Sequence, residues 1–341
     1  MTNENPIGMD GIAFVEYAAR TDGERESLDF LFLALGLSRL SRHRAHDVLL
    51  YGQRDVTFLV DREEGSFGAR FAAEHGPSIP SMGWWVEDAE HAVREAVRRG
   101  AERYEGPTHY GYPAVRGIGG SLIHLVPKGG GGPFRDGFLP LEAPARARDR
   151  GFTVVDHLTN NVEKGTMERW SRFYREVFGF TAVRHFDIRG KKTGLTSYAL
   201  RSPCGRFCIP INEGSEEKSQ IEEYLREYRG AGIQHIALLS DDLLASLDDL
   251  DVPTLDIDDD YYETVFERVP NVREDRARIR ALRVLVDGDD EGYLLQIFTR
   301  NVIGPIFFEM IQRRNHLSFG EGNFGALFRS IERDQERRGV I

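Results

Sequence analysis

The chain has 341 residues, enough for two domains of ordinary size, and its 40% hydrophobic and 29% charged content is typical of a folded protein with a core. A net charge of −11 without a block of basic residues argues against nucleic acid and anionic membrane as partners. The opening residues show no signal pattern and no apolar run approaches membrane-spanning length, so we expect a cytoplasmic protein.

The first half alternates strand-like and helix-like segments. Gly11–Tyr17 predicts a strand, and apolar residues from Leu28 to Leu35 recur at helical spacing before Gly36 ends the helix. The pattern then predicts two strands, a helix near Ser66–His75, and finally a strand in SMGWWVED, an amphipathic helix in AEHAVREAVRRG and two short strands between Ala114 and Pro127.

The second half repeats this order. The strand VVDHLTNNV carries His157 and precedes the helix MERWSRFYREVFGF, in which Gly179 takes the place of Gly36 at an offset of 179 − 36 = 143 residues. Further strands at Thr196–Ala199 and Arg206–Pro210 lead to a helix, SQIEEYLREY, and then to the strand GIQHIALL, which carries His235. The repetition indicates an internal duplication.

The glycine-rich run Gly129–Pro133 cannot hold regular structure, so we place an interdomain connection there. The resulting division gives an N-terminal domain at 1–130, a connection at 131–150 and a C-terminal domain at 151–341.

A strand in the segment GPIFFEMIQRR places Glu309 on one face between two apolar side chains, Phe307 and Ile311. A carboxylate in such a position is costly unless it is paired or binds a metal. Together with His157 and His235 it forms the two-imidazole, one-carboxylate set of a non-haem Fe(II) oxygenase. Spacing alone does not decide this, because a strand histidine is more often a hydrogen-bonded core residue.

The first half offers no such set at the matching positions. The offset puts Phe14 where the second half has His157, and matching the later strands puts Ser81 opposite His235 and His124 opposite Glu309. We therefore predict that the first half has no metal site.

Five segments, DHLTNNV, GAGIQHIAL, LLQIFTR, GPIFFEMIQRR and FGEGNF, closely resemble the 4-hydroxyphenylpyruvate dioxygenase family and occur in its order. The resemblance implies an α+β, vicinal oxygen chelate fold: two duplicated open β-barrel domains of paired βαβββ modules, with a C-terminal helix closing the active site. It implies Fe(II) on His157, His235 and Glu309. It also implies conversion of 4-hydroxyphenylpyruvate and O2 to homogentisate and CO2 in tyrosine catabolism, by oxidative decarboxylation, ring hydroxylation and side-chain migration.

The resemblance also supplies the substrate-binding residues, which are uncharged amides, a hydroxyl and aromatic rings: Ser197, Asn212, Gln220, Gln234, Gln296, Phe298, Phe319, Asn323 and Phe324. We assign catalytic roles to Gln296 and Phe324. Gln296 and Phe298 share a strand face, whereas simple alternation points Gln234 away from the face of His235. Asn323 is expected to support the site, and Asn160 stands where many relatives have histidine.

Three alternatives remain open. A 4-hydroxymandelate synthase shares fold, metal and substrate but hydroxylates the benzylic carbon, and it tends to carry an aliphatic residue at the position of Phe324. A non-catalytic small-molecule-binding protein of the same fold would not need the three metal ligands, and a ring-cleaving dioxygenase would release no CO2. We also expect a homo-oligomer.

Overall fold

The computed structural model describes residues 4–129, 137–189, 194–216, 218–337 and 339. The N-terminal half contains the strands β1 (Met9–Ala18), β2 (Ser38–His43), β3 (Val48–Gln53), β4 (Val56–Asp61), β5 (Ser78–Val86), β6 (Ala114–Arg116), β7 (Leu122–Pro127) and β8 (Phe138–Ala145). Its helices are α1 (Asp22–Ala34), α2 (Phe67–His75) and α3 (Ala89–Arg98).

The C-terminal half contains the strands β9 (Phe152–Val162), β10 (Thr181–Arg189), β11 (Gly194–Arg201), β12 (Cys208–Gly214), β13 (Gly232–Ser240), β14 (Leu285–Gly288), β15 (Tyr293–Phe298) and β16 (Phe307–Arg314). Its helices are α4 (Met167–Phe178), α5 (Gln220–Tyr228), α6 (Leu243–Ser246), α7 (Asp259–Arg268), α8 (Arg276–Ala281) and α9 (Phe324–Arg337). No helix in the described part of the chain is long and apolar enough to cross a membrane.

Among the residues described, each half forms one eight-stranded sheet. The orders are β6-β7-β5-β1-β4-β3-β2-β8 and β10-β11-β12-β9-β13-β16-β15-β14. In the first sheet β1 pairs parallel with β4 and antiparallel with β5, and in the second β9 pairs parallel with β12 and antiparallel with β13. Two curled sheets built on one plan, together with the C-terminal helix α9, confirm the predicted fold class.

The strand registers define which residues of the two halves are equivalent. His157 pairs with Ala237, which pairs with Glu309; in the first half Phe14 pairs with Gly83, which pairs with His124. Likewise His235 pairs with Thr159, and Ser81 pairs with Glu16. The alignment drawn from the sequence offset and from matching the later strands, with Phe14, Ser81 and His124 at the three ligand positions, therefore holds in three dimensions.

The first helix of each half ends at a glycine in the left-handed region. Gly36 has φ +86° and follows the last turn of α1, while Gly179 has φ +77° and caps α4. A side chain is disfavoured in this conformation, so glycine stops each helix and turns the chain into the next strand. These two glycines gave the repeat its 143-residue offset.

The hydrophobic core runs through both halves. The rings of Phe58 and Phe308 lie 6.0 Å apart between centroids, and Trp84 packs edge-on against Phe178 at 4.9 Å. The guanidinium of Arg150 adds hydrogen bonds to carbonyl oxygens of Ala34 in the first half and of Ser246, Asp248 and Asp249 in the second. The second sheet therefore has one of its faces fixed against the first half.

The predicted connection at 131–150 is not devoid of structure. Residues 130–136 lie outside the described residues, but β8 follows and pairs with β2 at the edge of the first sheet. Its sequence contains Pro140 and Pro144, which obscure a strand pattern yet are tolerated on an edge strand. The first sheet thus extends past residue 130, the predicted end of its domain.

Candidate metal centre and substrate cavity

Three neighbouring strands bring His157 (β9), His235 (β13) and Glu309 (β16) together. Oε2 of Glu309 lies 3.1 Å from Nε2 of His157 and 3.5 Å from Nε2 of His235, and the two Nε2 atoms are 3.4 Å apart. His157 and Glu309 are buried, and the side chain of His235 is 12% exposed. Within the described residues, this is the only group of three such side chains close enough to hold a metal ion.

The three groups interact strongly with one another electrostatically. Burial favours the neutral form of Glu309, but the imidazoles of His157 and His235 outweigh it and lower the pKa of Glu309 to about 2. Burial lowers the pKa of His157, yet Glu309 and Asp156 raise it to about 9. Burial also lowers the pKa of His235 and prevails over the raising effect of Glu309. The cluster keeps a buried carboxylate charged, and a positive charge beside it compensates that cost.

Each histidine is held at its other ring nitrogen. Nδ1 of His157 lies 2.8 Å from Oδ2 of Asp156, and Nδ1 of His235 lies 3.1 Å from Oε1 of Gln234. An oxygen acceptor at Nδ1 fixes the tautomer whose Nε2 lone pair is free for a metal. Both Nε2 atoms are directed toward Glu309, so the donor set fits a divalent metal with imidazole and carboxylate ligands.

Both orienting residues stand at β-bulges. The registers shift between Val155 and His157 in β9 and between Ile233 and His235 in β13, which leaves Asp156 and Gln234 as the extra residues. In a regular strand, consecutive side chains point to opposite faces, and a bulge re-aims one of them. Gln234 therefore contacts His235 and lines the site, contrary to simple alternation.

A cavity of about 660 Å³, including its mouth, opens above the three ligands. All predicted substrate-binding residues except Asn323 line it, as do the flanking residues Thr159, Phe186, Leu195, Phe307, Leu327, Phe328 and Ile331. Polar amides and a hydroxyl face aromatic walls, an arrangement suited to a small aromatic molecule with polar ends.

Asn323 lies behind the wall. Its Oδ1 accepts hydrogen bonds from the hydroxyl of Tyr261 at 2.7 Å and from Nη2 of Arg268 at 3.3 Å, and its side chain is fully buried. Arg268 also pairs with Asp287, which accepts from the backbone N–H of Gly322 at 2.9 Å. The Asn323 network therefore anchors the short turn from which α9 starts, and a role of Asn323 in supporting the site stays a prediction.

Gln296 presents an unsatisfied amide to the cavity. The side chain is fully buried, and neither polar atom of the amide has a hydrogen-bond partner among the described residues. A Cβ atom on Gly320, which has φ +80°, would overlap this amide. Since buried amides are normally hydrogen-bonded, the unpaired amide of Gln296 is suited to bind a polar group of a ligand.

Helix α9 closes the cavity with four apolar residues, Phe324, Leu327, Phe328 and Ile331. It is fastened by polar contacts on its other faces. Arg333 donates to Asp258 at 2.6 Å, the Ser330 hydroxyl to the carbonyl of Asp256 at 2.6 Å, and the Gln335 amide to Glu223 at 2.8 Å.

Sequence reasoning missed two kinds of residue. Phe186 lies on β10, an edge strand with a polar sequence that gave no strand signal, and it faces Ser197 across the β10–β11 pair. Asp156 and Arg313 form an ion pair beside the metal ligands, with N–O distances of 2.9 Å. The only signal for Asp156 was its position as an acidic residue directly before a candidate ligand. That position does not show which way the Asp156 side chain points unless the bulge is known.

Comparisons with known proteins agree with this architecture. Residues 3–134 match the family described as hydroxyphenylpyruvate dioxygenase, N-terminal, and residues 154–258 match the glyoxalase/bleomycin resistance protein/dioxygenase superfamily. The chain is 52% identical to "Protein MelA" of Shewanella colwelliana, over 100% of this chain and 99% of that protein.

Two further relatives carry descriptive names. A 4-hydroxyphenylpyruvate dioxygenase of Pseudomonas aeruginosa is 45% identical over 99% of this chain and 97% of its own length. Among solved structures, a substituted 4-hydroxymandelate synthase from Streptomyces coelicolor superposes with a TM-score of 0.80 at 27% identity, covering 96% of this chain and 99% of that one.

Proposed function

This chain belongs to the 4-hydroxyphenylpyruvate dioxygenase family, and we propose that it converts 4-hydroxyphenylpyruvate and O2 to homogentisate and CO2 in tyrosine catabolism, with Fe(II) on His157, His235 and Glu309. The observation that carries the proposal is the convergence of two Nε2 atoms and one carboxylate oxygen at the floor of an aromatic cavity. It combines the ligands for an oxygen-activating metal with a seat for a phenyl ring.

Fe(II), when bound, supplies the chelation of the 2-oxo acid and the activation of O2, chemistry that no side chain provides. His157, His235 and Glu309 would hold the metal, and a set of three protein ligands would leave it able to bind the substrate and O2. Asp156 and Gln234 hold the two imidazoles in the tautomer that binds metal.

The remaining residues bind and orient the substrate. The amides of Asn212, Gln220 and Gln296 and the hydroxyl of Ser197 can hydrogen-bond a phenol and a carboxylate without burying another charge. The rings of Phe298, Phe319 and Phe324 pack against the substrate ring and limit its tilt. Helix α9 covers the cavity and excludes water while the reaction proceeds.

The second candidate function is 4-hydroxymandelate synthesis, favoured by the likeness to the solved synthase. The two activities differ in which carbon is hydroxylated, so the walls around the substrate ring decide between them. The aromatic residue at 324 supports ring hydroxylation, and we propose homogentisate as the product.

Product identification after anaerobic loading with Fe(II) tests the proposal. We expect one homogentisate and one CO2 per O2 consumed, and no turnover in the Glu309→Ala variant. Hydroxymandelate as the main product would show that the protein is a 4-hydroxymandelate synthase instead. Oxygen uptake without CO2 would indicate ring cleavage, and ligand binding without oxygen uptake would indicate a binding protein.

We further propose a homo-oligomer located in the cytoplasm and an N-terminal half that serves as scaffold without a metal. Light scattering on the purified chain tests the first, and fractionation of the source cells the second. Metal content of variants tests the third, as set out in the Discussion.

A further inference from the structure

One guanidinium connects the metal-ligand cluster to the segment that leads into the closing helix. Arg313 lies on β16 four residues after Glu309 and hence on the same face of the strand. Its Nε and Nη2 donate to the two carboxylate oxygens of Asp156 at 2.9 Å each, and Asp156 accepts from Nδ1 of His157 at 2.8 Å. A bidentate pair of this kind fixes direction as well as distance.

The other end of the same guanidinium holds the following loop. Nη1 of Arg313 donates to the carbonyl oxygens of His316 at 3.2 Å and Ser318 at 2.6 Å. The guanidinium carbon lies 5.8 Å from the ring centroid of Phe319, and that ring lies 5.6 Å from the imidazole of His157. The segment from 315 to 320 thus takes its position from the group that orients the metal ligand.

The contacts of Arg313 join Asp156 on one side to the loop carbonyls on the other. Its side chain is 14% exposed and four hydrogen bonds use its planar fork. Lysine cannot reproduce this arrangement, because an ammonium group is a point charge without the fork.

The duplicated half serves as an internal comparison. By strand register, the position of Asp156 corresponds to Ala13, which stands at the matching bulge of β1, and the position of Arg313 corresponds to Lys128. Lys128 pairs with Asp10 instead. The half that has Phe14 in place of the first histidine therefore also has no counterpart of the Asp156–Arg313 pair, although fold and bulge are shared.

We propose that Arg313 is a positioning residue that couples the orientation of the metal ligand His157 to the closed position of the 315–320 loop and helix α9. Binding of metal then stabilises the closed helix, and the closed helix strengthens metal binding by the same factor, because coupling between two sites is reciprocal. The proposal rests on the metal site of the proposed function, and its test separates the two.

The probe is Co(II), which tolerates air and reports its coordination by visible absorption. Its affinity is measured for the whole chain, and hydrogen exchange of residues 315–337 is followed by mass spectrometry with and without the ion. We expect the native protein to bind one Co(II) and to exchange more slowly in this segment when loaded.

Three variants dissect the bridge. Arg313→Met should weaken Co(II) binding by about 10- to 100-fold, the usual cost of losing an outer partner of a metal ligand, and should abolish the effect of Co(II) on exchange. Arg313→Lys should not restore either property. Asp156→Asn weakens the link from Arg313 to His157 but leaves the Arg313 hydrogen bonds to the loop carbonyls, so its metal-free exchange should stay native while the response to Co(II) is lost.

Arg314→Met is the matched control, since Arg314 is the next residue in the strand and its side chain is 49% exposed. It should behave as native in both measurements. Native Co(II) affinity in Arg313→Met, or an undiminished exchange response in Asp156→Asn, would overturn the coupling. A native protein that binds no Co(II) would instead overturn the metal site itself, and native binding with unchanged exchange would overturn the coupling alone.

Discussion

The ring of Phe324, the first residue of the closing helix, packs edge-on against Phe186 of β10 with 5.4 Å between centroids. Both rings line the substrate cavity, and the contact with Phe186 limits the orientations open to the Phe324 ring. The two carbons that can be hydroxylated are one bond apart in the substrate, and displacement on the order of 1 Å matters greatly for reactivity.

Replacing Phe324 by isoleucine should therefore change the product. The narrower side chain leaves the substrate ring free to swing, which brings the benzylic hydrogens nearer to the metal. We expect 4-hydroxymandelate as a measurable share of the product by chromatography, with iron content unchanged because Phe324 is not a ligand. If Phe324→Ile yields homogentisate alone, the braced ring does not select the hydroxylated carbon.

Alanine at His157, His235 or Glu309 should abolish tight iron binding. The matched control is His124→Ala, because His124 occupies the position of Glu309 in the first half and is equally buried. Its iron content should equal that of the native protein at about one per chain. Iron retained by Glu309→Ala would remove Glu309 from the ligand set, and iron lost from His124→Ala would place metal in the first half.

Gly320→Ala should impair catalysis more than stability explains. The new Cβ would overlap the amide of Gln296, and displacement of a positioning group by about 1 Å can cost about 100-fold in rate. Gly205→Ala is the control, because Gly205 has a similar φ of +73° and a Cβ atom added there would have no atom of the described chain within 4 Å. We expect kcat/KM to fall only in Gly320→Ala. An equal fall of kcat/KM in Gly205→Ala would show that backbone strain, and not displacement of Gln296, causes the loss.

Glu16 should make stability depend on pH. It is buried in the first half, and burial together with the charge of Asp61 raises its pKa from 4.5 to about 7. The folded protein holds this proton more tightly than the unfolded chain, so the contribution is fully present below pH 4.5 and is lost as the pH rises through about 7. The shift corresponds to about 3 kcal/mol.

Urea unfolding of native protein and Glu16→Gln at pH 5 and pH 8 measures this contribution. Relative to native, the variant should gain stability between the two pH values, because glutamine remains neutral. Glu26→Gln, at an exposed position, is the control and should track the native protein. A constant difference between Glu16→Gln and native protein across this range would contradict the raised pKa.

Removal of residues 328–341 should uncouple oxygen use from product formation. Phe328 and Ile331 line the cavity from α9, and every strand in the described part of the chain precedes the deletion, so the barrel should fold and bind iron, though less tightly than the native protein with its closed helix. Water then enters a site that must stay closed during the reaction. The ratio of homogentisate to O2 consumed should fall, and a native ratio in the truncated protein would exclude the closing role of α9.

The sequence was sufficient for features that repeat or that leave a strong local pattern. The 143-residue offset and the glycines that end α1 and α4 predicted the duplication, whereas the closing helix was implied by the family resemblance. Side-chain alternation along β16 correctly placed Glu309 on the opposite face from Phe308 and Met310, because that strand pairs without a register shift.

Alternation failed where the strands are irregular. It could not place Asp156 or Gln234, because a bulge is set by pairing with a partner strand and has no signature in either strand alone. The edge strands β8 and β10 were missed for a related reason, since their polar or proline-containing sequences depend on a neighbour for their conformation. The sequence analysis did not single out Arg313, and only the fold brings it to Asp156, 157 residues away.

The ring of Phe14 lies so close to Gly83 that a Cβ atom there would overlap it. Histidine at 14 alone would place one more imidazole there and leave Ser81 and His124 at the other two positions. Each single substitution toward a ligand set buries a polar group before any bound ion can compensate for it, which costs stability. A metal centre in the first half would therefore require several substitutions at once, including one that replaces the Phe14 ring packed over Gly83.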